Sequence, residues 1–418
     1  MKKKILALSH TSDFTGGAEA VLLSLIKGST DRYEWTVVVP SKSGSFYEKL
    51  LGLSDVKIKV IFTPWWCSGS SYGQRISGRT LRRNLSKLKH LAHGADILLS
   101  NSITNPWLAY TANVLSKKHI WYIHEFGDID HGLDFSLGYA QSLRFVNDSS
   151  DKIMTVSSAV KDHISNEIDT EKIKIVAQSV DIDSLIKLKP RTLNLTDLNV
   201  LVLGSIKPSK GQDVLINAVK KINTEDQAKL SIRISGPVVD EDYTDRLEKS
   251  ILKLSIKHGL LKRGFVEPLQ EYDWADIVVV PSLNEALGRT TLEALASGRI
   301  VLGADSGATS ELLKDGLGVL FKSGSAADLK NKLVDLMSGN INLKSSASRV
   351  KSVSVRFNKA TEAQQFEDVV SSVLNNKVRH ESTYTDLISN LKLGGFIENG
   401  LKNFLRRVFR SLRKFFKG

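Results

Sequence analysis

Cysteine is nearly absent: Cys67 is the only one in 418 residues. A single thiol excludes an internal disulfide framework and fits a reducing compartment, and its simplest place is a loop or a buried site without chemistry. The nine histidines show no His/Cys spacing of the kind that holds a metal, so no metal ligands are assigned. Long apolar runs are missing as well. The longest uncharged stretch, 97–116, holds three asparagines, a proline and several hydroxyls, which excludes a membrane span. The opening MKKKILALSH has a basic start but an apolar run too short for a secretory signal, and reads as a first β-strand. No internal repeat is evident.

At roughly 100–200 residues per domain the chain has room for two or three domains, and an apolar fraction of 41% suffices for ordinary cores. Strand patterns alternate with amphipathic helical ones. Strands are predicted at 4–9, 36–40, 57–62, 96–100, 119–124, 152–156 and 172–176, with helices such as 18–27 and 75–92 between them. A second series follows at 198–203, 231–235, 264–266, 277–280, 299–303 and 319–321. This βαβα order predicts an α/β protein with doubly wound parallel sheets. Two Rossmann-like domains facing a cleft, 1–182 and 183–356, are the simplest architecture, with 183–197 as the linker and a helix over 357–376.

The densest chemistry lies in residues 281–298, PSLNEALGRTTLEALASG. The β-branched run 277–280 before it suits a buried parallel strand. Helix-favouring residues follow Gly288, and Gly298 is a plausible stop. Ligands of open α/β sheets collect at the carboxyl ends of such strands, where the next helix offers free N–H groups and a positive dipole end that suit a phosphate. Glu285 and Glu293 flank this helix start. A carboxylate accepts two hydroxyl hydrogen bonds at once, which suits sugar diols. By spacing alone, two solvated carboxylates with seven residues between them would be unremarkable in so charged a chain.

Other loops point the same way. Gly16 and Gly17, in TGGAE, follow the first strand and precede a helix, so backbone can approach an anion closely there; a plain tight turn is the competing reading. The loop lacks the G-x-G-x-x-G form, and no acidic residue ends strand two to recommend a dinucleotide. His124 closes a strand in WYIHEF and should point towards the cleft, although a lone histidine is usually structural. Glu125 beside it would tune its pKa or meet an acceptor. Residues 128–134 read as a mobile acceptor loop. Gly204 and Ser205 open GSIKPSKG, in which Lys210 is placed to meet a diphosphate as a compact cation. The turn GADSGATSE, 303–311, follows another strand, and its Gly307 and Ala308 would let backbone approach a ligand; Glu311 reads as a helix carboxylate, not a catalytic one.

Together these motifs resemble the retaining GT-B glycosyltransferases of glycosyltransferase family 4. The resemblance rests on the Glu285/Glu293 pair set in Pro-Ser, Ala286-Leu287-Gly288 and Glu-Ala-Leu-Ala-Ser-Gly, and extends over most of 1–376. It implies a GT-B fold and transfer of a sugar from a nucleotide-sugar with retention of configuration, with no metal or other cofactor. Glu293 would meet the ribose, Glu285 the sugar hydroxyls, and His124 the sugar from the facing domain. Gly16 and Gly17 would line the cleft near donor phosphate and acceptor. Ser205 departs from the family's usual Gly-Arg, and Arg289, at the start of the Glu-pair helix, is the expected substitute beside Lys210. The helix at 357–376 would brace the first domain.

Formal net charge is +13, and the last 34 residues carry +6 of it. From Phe396 the chain reads FIENGLKNFLRRVFRSLRKFFKG, with Leu401, Phe404, Leu405, Val408, Phe409, Leu412, Phe415 and Phe416 on one side of a helix and Lys402, Arg406, Arg410, Arg413 and Lys417 on another. After a linker from 377, residues 396–418 therefore predict a basic amphipathic helix lying on an anionic membrane surface; a docking or oligomerisation helix and a nucleic-acid arm are the competing readings. The expected partners are a nucleotide-sugar, a saccharide or lipid-linked saccharide acceptor and the inner membrane face of the cytoplasm. Outside the tail no basic, aromatic-laced patch recommends nucleic acid. A GT-B epimerase and an idle GT-B subunit supporting a partner transferase are the alternatives.

Overall fold

Apolar runs of four to seven residues become strands here because helices cover the sheet faces. A computed structural model describes residues 2–14, 16–68, 78–180, 182–188, 191 and 193–376. The basic tail and its membrane role lie outside these residues. In chain order the first half contains β1 (Lys3–Ser9), β2 (Tyr33–Val39), β3 (Val56–Val60), β4 (Cys67–Ser68), β5 (Ile97–Asn101), β6 (Lys118–Ile123), β7 (Asp134–Phe135), β8 (Lys152–Thr155) and β9 (Ile173–Ile175). Seven of these form one sheet in the order β3-β2-β1-β5-β6-β8-β9. β1 lies parallel to β2 on one side and β5 on the other. All seven strands predicted for this half are present. Residues 128–133, within the stretch read as an acceptor loop, are turns and loop, and Asp134 opens β7, which pairs antiparallel with β4 through Cys67 and Phe135; Asp130 accepts from the Phe126 and Gly127 amides at 3.0 and 2.8 Å.

The second half contains β10 (Leu198–Leu203), β11 (Leu230–Gly236), β12 (His258–Arg263), β13 (Ile277–Val280), β14 (Ile300–Ala304) and β15 (Val319–Phe321), in the order β12-β11-β10-β13-β14-β15. The β10–β11, β10–β13, β11–β12, β13–β14 and β14–β15 pairs are all parallel. Side chains alternate between two cores. Val200, Val202, Ile277 and Val279 enter one, while Leu201, Val278 and Val280 enter the other with Leu292 and Leu295. This is the pattern of a sheet wound on both faces.

One strand differs from the sequence reading. The strand predicted at 264–266 lies instead at His258–Arg263, and Gly264 and Phe265 form the loop after it, Phe265 being 93% exposed. β12 is an edge strand with mostly exposed residues, so its sequence lacks the apolar run that marks its neighbours.

The chain also divides differently from 1–182 and 183–356. Among the described residues, one unit comprises those up to Met154, Ile164–Lys174 and 367–376; the other comprises those in Thr155–His163 and Ile175–Phe366. Local bonds explain the exchange. Within the second unit Ser158 donates its amide and hydroxyl to Glu311, the Val180 amide bonds the Phe357 carbonyl at 3.1 Å, and Ser179 donates to Glu362. The predicted helix at 357–376 is present as Lys359–Asn375. Its later half belongs to the first unit, where the Tyr33 hydroxyl donates to Glu367 at 2.6 Å and Lys118 donates to the Leu374 carbonyl.

Candidate functional site

In the second unit the strand order reverses between β10 and β13, so the loops leaving these two strands open at the switch point where doubly wound sheets bind ligands. The first is Gly204–Gly211. Gly204 has φ 141°, and a Cβ built there would meet nothing within 4 Å, so its outer side is open. The turn Pro208–Lys210 follows, closed by Gly211 at φ 66°. A Cβ on Gly211 would fall 2.3 Å from the Pro281 carbonyl oxygen. Only glycine lets the two loops approach this closely.

The second loop, 281–288, is clamped along its length. Leu283 donates to the Ser209 carbonyl at 3.1 Å, and Ala308 to the Glu285 carbonyl at 2.7 Å. Ser306 bonds the Ser282 carbonyl, and Ser157, from far earlier in the chain, donates to the Ala286 carbonyl. Gly307, at φ 51°, would place a Cβ 2.3 Å from the same Glu285 oxygen. Leu287 packs against the core behind. Gly288, at φ 76°, then caps the helix Arg289–Ala296.

On this scaffold the predicted charges meet in two pairs. Lys210 Nζ lies 2.8 Å from Glu285 Oε2, and Arg289 Nε lies 2.7 Å from Glu293 Oε1. The second Glu293 oxygen accepts from the Tyr272 hydroxyl at 2.9 Å. All four predicted charged residues therefore occupy the two loops and the helix start, each cation on a carboxylate. Ser205 stands beside Gly204, its carbonyl accepting from Gln212 at 2.9 Å.

The first unit builds its own cluster at the carboxyl ends of β1, β5 and β6. Gly16 precedes the helix Gly17–Lys27 and donates to Glu19 at 2.9 Å. It is extended at φ −164°, and a Cβ there would meet only Glu19 Oε2, at 3.9 Å, so it leaves room without being forced to be glycine. His10 approaches the buried Glu19 at 3.3 Å. Asn101, ending β5, donates Nδ2 to the Ala18 carbonyl at 3.0 Å. That bond orients the amide, so its Oδ1 accepts from His124 Nε2 at 2.8 Å. The proton is thereby placed on Nε2, leaving Nδ1 a bare acceptor, buried and without a partner among the described residues.

Burial drives the His124 pKa down to about 3, with the nearby His10 adding to it, and burial drives His10 to about 4. Near neutral pH both are uncharged imidazoles. Glu125, read as a tuner of His124 or an acceptor contact, has a structural place instead: it accepts from Ser102, from the Ile103 amide at 2.8 Å and from the His124 amide at 3.0 Å. It thus pins Ser102, a non-glycine residue at φ 97°. Such strain persists where the surroundings over-determine it. Burial raises the Glu125 pKa.

The sequence reading did not single out Asn101, Tyr272 or Ser157. Asn101 left one signal, a polar end on the apolar run 97–99; the other two left none. Gly16 and Gly17 are brought next to His124 through Asn101, while Glu285, Glu293, Lys210 and Arg289 share the second unit's site.

Comparison with known proteins places these features. A model of the glycosyl transferases group 1 matches residues 186–352, and one of Glycosyltransferase Family 4 matches residues 15–184. An uncharacterized glycosyltransferase of Methanocaldococcus jannaschii is 31% identical over 178 residues, 39% of this chain and 44% of its own length. A D-inositol 3-phosphate glycosyltransferase of Nocardia farcinica is 32% identical over 148 residues, 33% of this chain and 32% of its own. The chain thus spans less than half the length of these two curated relatives. Among solved structures, Anabaena Alr3699/HepE, in complex with UDP, superposes with a TM-score of 0.70 at 21% identity, over 89% of this chain and 100% of that one; a further structure of it holds UDP-glucose. That likeness is one of fold, the two Rossmann-like units of the GT-B class. With matches running from 15–184 into 186–352, the chain belongs to glycosyltransferase family 4.

Proposed function

We propose that this protein is a retaining glycosyltransferase that moves a sugar from a nucleotide-sugar to a saccharide acceptor in glycan or glycolipid assembly. The observation that carries the reading is the pairing of two carboxylates with two cations at the sheet's switch point, Lys210 with Glu285 and Arg289 with Glu293. A diphosphate would draw the cations and the helix start at Gly288, and ribose and sugar hydroxyls would take the carboxylates. As the glycosidic bond breaks, charge accumulates on the leaving diphosphate, and preorganised cations and N–H groups aimed at it lower the barrier. This chemistry asks for no metal, because Lys210 and Arg289 supply the positive charge.

His124 contributes as a neutral acceptor. Its Nδ1 takes a sugar hydroxyl and orients the ring, a role that suits its depressed pKa better than stabilising charge would. Names of relatives add support: the UDP and UDP-glucose of Alr3699/HepE, and a lipopolysaccharide core mannosyltransferase of Rhizobium leguminosarum 31% identical over 117 residues. A lipid-linked acceptor at the inner membrane face is part of the proposal and rests on the basic amphipathic sequence 396–418.

The test is release of nucleotide from a panel of UDP-, GDP- and dTDP-sugars by the purified full chain, set against Glu285→Ala. One donor is expected to be hydrolysed slowly by the wild type and not by the variant. No release from any donor, even with anionic vesicles and crude lipid-linked acceptor present, would overturn the reading in favour of an idle subunit.

A further inference from the structure

Glu293 is held from two sides by very different groups. Tyr272 lies on the helix Pro268–Trp274 and is fully buried, its ring packed in the core with Val278, Leu292 and Leu295. Its carbonyl accepts from Arg299 Nε at 2.7 Å, and Arg299 is itself only 1% exposed. The backbone of Tyr272 is thereby held and its ring enclosed, and its phenol donates to Glu293 Oε2 at 2.9 Å. Burial, reinforced by the Glu293 charge, raises its pKa well above the ordinary tyrosine value, so it stays a donor at any working pH. Arg289, on Oε1, is the opposite kind of partner. It is a long side chain 45% exposed, able to turn elsewhere at small cost.

We propose that Tyr272 is a positioning residue for nucleotide recognition: its phenol pins one oxygen of Glu293, so that the other passes from Arg289 to the ribose hydroxyls of a nucleoside diphosphate when Arg289 turns to the phosphates. This rests on the assignment of Glu293 to the ribose made above. Without the phenol, the departure of Arg289 would leave a carboxylate that is 14% exposed with no side-chain donor among the described residues, free to rotate and costly to desolvate. With it, Glu293 keeps one bond throughout and presents a single defined lone-pair direction to the ligand. Preorganisation of this kind raises affinity by removing the cost of ordering the group at the moment of binding.

The experiment is calorimetric binding of UDP and GDP, each with its 2′,3′-dideoxy form, to the full chain as wild type and as Tyr272→Phe, with thermal midpoints recorded. The wild type is expected to prefer one ribonucleotide over its dideoxy form by roughly tenfold or more, the scale of a hydrogen bond to a charged group. Tyr272→Phe is expected to bring that ratio close to one while leaving the dideoxy affinity nearly unchanged, a pattern that a general loosening of the fold does not produce. If the variant keeps the wild-type ratio, Tyr272 does not position Glu293 and the proposal is overturned. If the wild type binds a nucleotide but shows no ratio, the ribose assignment falls and takes this inference with it. Absence of binding to UDP and GDP, and to dTDP run beside them, sinks both through the nucleotide-sugar reading. Should Tyr272→Phe not fold, Tyr272→Met fills similar volume without a donor and carries the same expectation.

Discussion

Arg289 and Glu293 sit one turn apart on a helix, where an exposed ion pair contributes only about 0.3–0.5 kcal/mol. The pair is therefore a weak argument for stability and a better one for function. Arg289→Ala is expected to leave the thermal midpoint almost unmoved and to lower nucleotide-sugar turnover by roughly tenfold or more, as loss of a charge-assisted bond to a diphosphate would. Turnover near wild type would remove Arg289 from the site. His124 and His10 make a prediction about acid. Both have folded pKa values, about 3 and about 4, below the ordinary 6.5, so the unfolded chain binds more protons through this window. Their stabilisation is complete above pH 6.5 and is lost as pH falls towards 4 and below. In His124→Asn the thermal midpoint should fall less steeply between pH 6.5 and 4 than in the wild type, and less steeply again with His10→Asn added. Equal slopes would mean that His124 titrates normally in the native state.

At the scale of elements, the loops of the second unit's site contain or adjoin glycines that differ in how much they are needed. Gly307 combines φ 51° with a Cβ position 2.3 Å from the Glu285 oxygen, whereas Gly204 has a positive φ but open space beside it. Gly307→Ala is thus expected to cost more than the roughly 1–3 kcal/mol of backbone strain alone, and Gly204→Ala to cost about that strain and no more; urea denaturation of the two variants gives the order directly, and the reverse order would refute the packing argument. The same loop shows what could be read from sequence. Glu285, Gly288, Arg289 and Glu293 were legible because they lie within nine residues of each other, behind a strand whose β-branched run announces itself. Lys210 was legible because it follows another such strand. Ser157 meets the Ala286 carbonyl from 129 residues earlier, Tyr272 meets Glu293 across 21 residues, and in the first unit Asn101 joins Ala18 to His124; such meetings depend on tertiary placement, which local pattern does not carry. β12 was misplaced for a related reason: an edge strand is only partly covered, so the sequence HGLLKR had no need of the pattern by which buried strands are found.

For the molecule as a whole, alternation of strands and helices was enough to foresee two doubly wound sheets, because each sheet is built from consecutive βα units. Of the division into units, the sequence showed only the return of the helix at 357–376 to the first domain. The chain passes between them at 154/155, 163/164, 174/175 and 366/367, and nothing in local composition marks the first three. A fragment of residues 183–356, the domain suggested by sequence, lacks Ser157 and Ser158 and the Val180 and Ser179 contacts. It is expected to show no cooperative urea transition, while the intact chain does; a sharp transition in the fragment would show that these segments are dispensable.

The same interleaving sets a timetable for synthesis. Tyr33 finds its partner Glu367 across 334 residues, so the first unit, whose sheet is complete by Ile175, receives its last helical segment only after the second unit has been made. The whole second unit is translated before the brace of the first emerges. Until then the nascent chain carries an unclosed surface, and a pause late in the message leaves that surface, more than any other, for a chaperone to hold.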